Sequence, residues 1–170
     1  HTITVTVDNT VSYHLGGHSY SNETQTNWNG LTGRLELQAT DKLWISGVQV
    51  FPNVQDRSVR IETVVGNKFG SVRECELNLR IGKQSSVRKL TAATGETKAT
   101  GTLPLAKDIA LWDDFSPALH TLRVDLRSEK RTLHTQSVRF GMREVSEVDK
   151  RVAINGVPVF LRGNVECCEF

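Results

Sequence analysis

Seven short segments between Leu43 and Phe140 alternate apolar with polar residues, and residues that favour turns separate them. The alternation is clearest from Ser58 to Val65 and from Val72 to Ile81. A period of two residues is what a strand with one buried face requires. No stretch of this region has the periodicity of a crossover helix, which parallel strands would need as a connection. The region therefore predicts antiparallel strands.

The number and even spacing of these segments predict an all-β fold, specifically an immunoglobulin-like antiparallel sandwich. Gly66 to Gly70 is predicted to be a hairpin turn between two of the strands. The predicted strands are Leu43 to Phe51, Ser58 to Val65, Val72 to Ile81, Ser86 to Ala92, Glu96 to Leu105, Leu119 to Leu126 and Leu133 to Phe140. Their predicted core residues are Ile61, Val65, Leu77, Leu79, Leu122, Val124 and Phe140.

Further strands are predicted on both sides of the sandwich. Thr2 to Val7 and Gly30 to Ala39 alternate in the same way, and a long polar loop joins them, so we expect a strand pair from the end of another β-domain. Val152 to Ile154 and Val157 to Leu161 are joined by Asn155-Gly156, a dipeptide typical of tight hairpin turns. The sequence therefore predicts a C-terminal hairpin.

Composition argues against several classes of function. The net charge is only +2 and the basic residues are scattered, which disfavours nucleic acid and anionic membranes as partners. No apolar run is long enough for a membrane span. The three cysteines, two of them adjacent at Cys167 and Cys168, favour buried free thiols over disulfides or a zinc site. Localisation cannot be deduced from the sequence alone.

Residues for catalysis or metal binding are scarce. His14 and His18 are separated by two glycines, which excludes the helix that would place both on one face, so no metal and no cofactor is expected. His120 and His134 fall in predicted strands, as surface or hydrogen-bonded core residues. Asp113 is expected to bind the backbone of its own turn. No paired carboxylates are recognisable, so no catalytic residue is predicted.

The segment from Trp112 to Pro117 places two aromatic residues in a region rich in turn formers. It could close one end of the sandwich, or it could form a surface that contacts a neighbouring domain. The sequence leaves both alternatives open.

Three segments together resemble glycoside hydrolase family 2, which includes β-galactosidases, β-glucuronidases and β-mannosidases. Leu111 to Asp125 is similar to the Trp-loop and following strand of that family. Phe140-Gly-Met-Arg143 is similar to its Gly-Phe-Arg element. Ile154 to Gly163 is similar to its Asn-Gly-Lys-Pro and Leu-Arg-Gly run. The order and spacing of the three segments make the resemblance specific.

The resemblance implies three domains. Residues 1–39 would be the last strands of a jelly roll, residues 40–145 an immunoglobulin-like sandwich, and residues 146–170 a hairpin and the first strand of a (β/α)8 barrel. The expected function is that of a non-catalytic region of a retaining exo-β-glycosidase, which supports and orients the barrel. The catalytic glutamates would lie further along the parent chain, so we expect the segment alone to be inactive.

The resemblance also implies partners and candidate site residues. The partners would be the jelly-roll and barrel domains of the same parent chain and its carbohydrate substrate, in a periplasmic or extracellular enzyme. The residues expected near substrate are Asn27, Trp28, Arg162 and Glu166, although the residues themselves favour a structural role for Glu166. Cys167 and Cys168 stand where many members carry a His-Glu pair, which points to a divergent branch of the family.

Two further expectations follow from the same residues. The alternative function is a stand-alone carbohydrate-binding or adhesive β-sandwich, with Trp28 as the sugar platform. The apolar residues from Phe160 to Phe170 have no core of their own, so association of the chain into a homo-oligomer is possible through them.

Overall fold

The computed structural model of the chain describes residues 2–7, 31 and 33–163. It forms two compact units, one of residues 39–160 and one of residues 1–38 with 161–170. No helix long and apolar enough to cross a membrane occurs in the described ranges. The strands of the first unit are β1 (Leu43–Asn53), β2 (Ser58–Asn67), β3 (Arg73–Ile81), β4 (Gln84–Ala92), β5 (Gly95–Pro104), β6 (His120–Ser128), β7 (Arg131–Phe140), β8 (Val145–Val148), β9 (Arg151–Ile154) and β10 (Val157–Pro158).

The first seven strands form two antiparallel sheets. One sheet has the order β1-β2-β5 and the other the order β4-β3-β6-β7. The chain leaves β2 for the second sheet, returns to pair β5 with β2, and then crosses again to pair β6 with β3. Such crossings between two sheets are typical of immunoglobulin-like sandwiches. The predicted all-β fold and its sandwich architecture are confirmed.

Because side chains alternate along each strand, every second side chain lies between the two sheets. All seven predicted core residues are buried, so the predicted phase of the pleat is confirmed. The core continues past them to the ends of the strands, where Leu43, Leu103 and Met142 are fully buried. Leu79 is 2% exposed and lies 3.1 Å from the position that a β-carbon on Gly101 would take, so glycine permits a close approach of the two sheets there.

The seven predicted sandwich strands end within two residues of the observed ones. Two details of the C-terminal region differ. The strand β8 was not predicted, because four residues before an Asp-Lys turn give almost no alternation to detect. The second hairpin strand was predicted as Val157 to Leu161, but β10 comprises two residues only. Because Pro158 has no N–H to donate to a neighbouring strand, it disfavours continuation of β10.

The predicted hairpin at Gly66 to Gly70 is wrong, because β2 and β3 belong to different sheets. The side chain of Asn67 shapes this connection. Its Nδ2 donates to the carbonyl oxygens of Ser71 and Ala92, both at 2.9 Å, and its Oδ1 accepts from the N–H of Phe69 at 2.9 Å. Glycine and asparagine indicate a turn in the sequence, but they do not reveal which sheet the next strand joins.

The strand pair predicted from Thr2 to Val7 and Gly30 to Ala39 is not formed by the residues the structure describes. No strand is assigned to residues 2–7, 31 or 33–39, and the side chains of Ile3, Leu35 and Leu37 are largely exposed. Alternation shows which side chains could share a face. A strand forms only where another backbone offers hydrogen-bonding partners, and no ladder joins these described residues.

His134 lies in β7 beside the edge of the other sheet. Its Nδ1 accepts a hydrogen bond from the N–H of Ile45 at 3.2 Å, where a bulge interrupts the pairing of β1 with β2. The imidazole therefore satisfies a backbone donor of β1, which is an edge strand of its sheet. The expectation of a hydrogen-bonded structural histidine is confirmed at this position.

Leu79→Ala should lower the free energy of unfolding by about 2 to 5 kcal/mol, because the truncation leaves a cavity between the sheets. The control is Arg80→Ala, one residue along β3 on the exposed face, which should cost less than about 1 kcal/mol. Urea unfolding of both variants provides the measurement. Equal losses at the two positions would contradict the observed orientation of β3.

Candidate functional site

The segment between β5 and β6 contains the Trp112 loop. The N–H of Trp112 donates to the carbonyl oxygen of Met142 at 3.1 Å, and Trp112 forms a bridge with Pro117. Asp113 closes the loop, since its Oδ1 accepts from the N–H groups of Phe115 at 2.9 Å and Ser116 at 2.7 Å. The predicted turn role of Asp113 is confirmed. Phe115, by contrast, is 93% exposed, so it does not plug the sandwich.

Gly141 and Arg143 hold the indole of Trp112 from two sides. A β-carbon on Gly141 would lie 2.9 Å from three atoms of the Trp112 side chain, so only glycine lets the indole lie against this backbone. The guanidinium carbon of Arg143 is 4.7 Å from the centre of a Trp112 ring, which is a cation–π contact. Trp112 is therefore fixed in orientation by the residues on either side of Met142.

Asn155 joins this arrangement to the C-terminal hairpin. Its Nδ2 donates to the carbonyl oxygens of Trp112 at 3.0 Å and Met142 at 3.3 Å. Its Oδ1 accepts from the N–H of Glu144 at 2.8 Å, and its own N–H donates to the Glu144 carbonyl at 2.9 Å. We call this set of four hydrogen bonds the Asn155 clasp.

The backbone of the hairpin explains why asparagine stands there. Asn155 has a φ of 52° and Gly156 a φ of 79°, the left-handed values that a two-residue hairpin turn requires, as the dipeptide predicted. Asparagine tolerates this conformation better than most residues, and its amide offers both a donor and an acceptor. The sequence indicated the turn, but it carried no sign that the side chain would reach back to two other segments.

The clasp brings together all three segments on which the family resemblance depends. Trp112, the Gly141–Arg143 element and Asn155 are distant in sequence, yet they meet at the end of the sandwich where β6 begins and β7 ends. His120 lies at the same end, with its Nε2 2.8 Å from the Ala110 carbonyl oxygen. The cluster is a junction between the sandwich and the sheet β8-β9-β10.

The described side chains offer little for acid–base or nucleophilic chemistry. Burial raises the pKa of the Cys75 thiol to about 11, with a further contribution from the charge of Glu74, so the thiol is protonated at neutral pH. Partial burial opposes ionisation of Asp125. Hydrogen bonds from Arg123 and Thr135, with the charges of Arg123 and Arg80, outweigh it and lower its pKa, so Asp125 is unsuited to act as an acid.

A concave region of about 470 Å³ lies at the other end of the sandwich, beside the turn between β6 and β7. Charges of both signs border it, including Arg127 and its cross-strand neighbour Glu76, whose side chains lie 3.8 Å apart. Among residues 2–7, 31 and 33–163, no three histidine, cysteine, aspartate or glutamate residues are grouped as metal ligands. The region is an open groove lined by charged side chains.

Three of the four residues expected near substrate, Asn27, Trp28 and Glu166, lie outside the described residues. The fourth, Arg162, is described and exposed, and it belongs to the other compact unit. Cys167 and Cys168 also fall outside the described residues, whereas Cys75 is a buried free thiol as expected.

A family profile described as "Glycosyl hydrolases family 2" matches residues 43–143, which is more than half of the chain. The chain belongs to glycoside hydrolase family 2. No curated protein sequence matches it. The matched residues cover the seven sandwich strands, the Trp112 loop and the Gly-Met-Arg element, and the match ends just before Glu144 and Asn155 of the clasp.

Solved structures of family 2 proteins have the same fold. A β-galacturonidase from Eisenbergiella tayi bound to galacturonate is similar at 20% identity and a TM-score of 0.61, over 69% of this chain and 22% of that one. A β-glucuronidase of the family is similar at 19% identity and a TM-score of 0.63, over 72% of this chain and 15% of that one. A member from Bacteroides cellulosilyticus is similar at 20% identity and a TM-score of 0.64, over 73% of this chain and 19% of that one. This chain therefore matches about a fifth or less of each of these family 2 proteins.

Asn155→Gly should lower the free energy of unfolding by about 1 to 3 kcal/mol, because it removes the side-chain hydrogen bonds to the carbonyl groups of Trp112 and Met142 and to the N–H of Glu144. Glycine keeps the left-handed backbone, so the change isolates the side chain. Asp149→Gly is the matched control, since Asp149 has a φ of 49° in the turn between β8 and β9. Equal effects in urea unfolding would mean that Asn155 serves the turn alone.

Proposed function

We propose that this chain is a non-catalytic β-sandwich region of a family 2 glycosidase, which supports and orients the catalytic domain of its parent polypeptide. The parent would hydrolyse O-glycosidic bonds by the retaining mechanism, as an exo-acting β-glycosidase in carbohydrate degradation. That mechanism needs two carboxyl groups about 5 Å apart. The catalytic pair would belong to a (β/α)8 barrel elsewhere in the parent. The parent enzyme would be periplasmic or extracellular.

The Asn155 clasp is the observation that carries this proposal. A region that orients a neighbour must transmit a fixed geometry from its own core to the segment that leads to the neighbour. Met142 is fully buried in the sandwich core, and its carbonyl oxygen accepts hydrogen bonds from both Trp112 and Asn155. The hairpin is therefore anchored to the core through hydrogen bonds and not through the chain connection alone.

The remaining assignments are part of the same proposal. Residues 1–39 would complete a jelly roll of the parent, residues 40–145 are assigned to the sandwich domain, and residues 146–170 would lead into the barrel. Asn27, Trp28, Arg162 and Glu166 would approach the substrate in the complete enzyme. The solved relatives include proteins described as a β-galacturonidase and an exo-chitosanase, so the proposal leaves the sugar open.

The purified 170-residue chain should hydrolyse no aryl β-glycoside, whereas the parent polypeptide should hydrolyse at least one. A panel of nitrophenyl glycosides, including uronides, tests both proteins under the same conditions. The control is the parent carrying alanine at its proposed nucleophile, which should be inactive although it contains the whole sandwich.

Turnover by the isolated chain that persists through a second purification would contradict the proposal. Binding of the isolated chain to a glycan array, together with an inactive parent, would instead favour a stand-alone carbohydrate-binding module.

A further inference from the structure

A small cavity lies at the end of the sandwich opposite the Trp112 loop, between the start of β1, the β2–β3 connection and the β6–β7 turn. Its volume is about 200 Å³. Leu43, which is 1% exposed, and the partly buried Leu133 supply apolar lining. The other lining residues are one aromatic and five polar or charged ones, namely Phe69, Asp41, Arg73, Ser128, Glu129 and Arg131. We call this the Phe69 cavity.

Two walls of the Phe69 cavity are held in place by hydrogen bonds. Asn67, which is 1% exposed, accepts from the N–H of Phe69 and donates to the carbonyl oxygen of Ser71, both at 2.9 Å. These bonds fix the β2–β3 connection. On the other side, the hydroxyl of Ser128 donates to the carbonyl oxygen of Glu74 at 2.9 Å, which ties the β6–β7 turn to the start of β3. The cavity is therefore formed before any ligand arrives.

Two guanidinium groups of the cavity are available to an anion. The guanidinium carbon of Arg73 lies 4.4 Å from the centre of the Phe69 ring. Stacking occupies the face of a guanidinium and leaves the N–H donors at its edge free to bind a carboxylate through two parallel hydrogen bonds. Within the described part of the chain, neither Arg73 nor Arg131 forms an ion pair. The cavity therefore offers donors that match a ligand carboxylate.

The acidic side chains of the cavity indicate what else the ligand carries. Asp41 and Glu129 likewise form no ion pair with the residues that the structure describes. A ligand that is only an anion would be repelled by these two carboxylates, whereas hydroxyl groups would donate hydrogen bonds to them. Phe69, Leu43 and Leu133 suit the apolar C–H face of a sugar ring. The lining thus fits a molecule with one carboxylate, several hydroxyls and an apolar face.

We propose that the Phe69 cavity is a binding site for a uronic acid. Its volume is below the roughly 300 to 1,000 Å³ of sites for drug-sized ligands, so it accommodates one sugar ring. Arg73 and Arg131 hold the carboxylate, and Asp41 and Glu129 accept from the hydroxyls. The site lies in the sandwich itself, so it goes beyond the proposed function, in which the sandwich only supports and orients a catalytic domain.

Isothermal titration calorimetry of the 170-residue chain with sodium glucuronate and with its C4 epimer galacturonate measures the binding. At least one of the two should bind saturably, with a dissociation constant on the order of 1 mM. Glucose, which lacks the carboxylate, and acetate, which lacks the ring, should each bind about ten times more weakly or worse.

Arg131→Gln removes a guanidinium but keeps a polar side chain at an exposed position. It should weaken binding of the uronate about tenfold and leave the weak binding of glucose unchanged. The control is Arg139→Gln, at an exposed position near the other end of β7, which should bind the uronate as the wild type does. Urea unfolding should give equal stabilities for the two variants, so that a difference in binding reports on the site.

Equal affinity for acetate and for the uronates would overturn the inference, because the cavity would then hold any small anion. Equal uronate affinity of the wild type and the Arg131→Gln variant would also overturn it, as would a titration that shows no saturation at roughly ten times the expected dissociation constant.

The glycosidase panel separates this inference from the proposed function. Uronate binding by the chain, with a parent that hydrolyses no glycoside, would keep the binding site and contradict the proposed function. An active parent and a chain that binds no uronate would overturn the binding site alone.

Discussion

One amide side chain connects the parts of this molecule that carry its family signature. Asn155 hydrogen-bonds to Trp112, Met142 and Glu144, and through Met142 it is attached to the buried core of the sandwich. The same residue has the left-handed backbone that the hairpin requires. Because one residue satisfies both demands, the direction in which the chain leaves the sandwich is fixed by the core and not by the turn alone.

The clasp also explains features around it that would otherwise be unrelated. Gly141 must lack a side chain because the indole of Trp112 lies against it, and Arg143 covers the indole from another side. Asn67 makes a similar set of three hydrogen bonds in the connection between β2 and β3. Buried or half-buried asparagines thus fix connections of the sandwich where ladder hydrogen bonds end.

The strands and their inward faces could be predicted because a period of two is a local property of the sequence. Leu77, Leu79 and Val124 were placed correctly for that reason. Which distant segments pair with each other is not a local property of the sequence. The turn at Gly66 to Gly70 was recognised, but its strands lie in different sheets, and the alternation of residues 2–7 did not reveal whether a strand would find a partner. The junction itself was indicated only by three separate motifs, and its geometry needed the structure.

Native-state hydrogen exchange of the amides of Trp112, Glu144 and Asn155 tests most directly whether the junction and the core form one cooperative unit. We expect their free energies of opening to equal, within about 1 kcal/mol, those of the slowest amides in β3 and β6, because elements that unfold together exchange together. If these three amides exchange through a local opening whose free energy is several kcal/mol below that of the slowest amides in β3 and β6, the account is contradicted. The hairpin would then be an appendage of the sandwich, unable to hold a neighbouring domain in a fixed orientation.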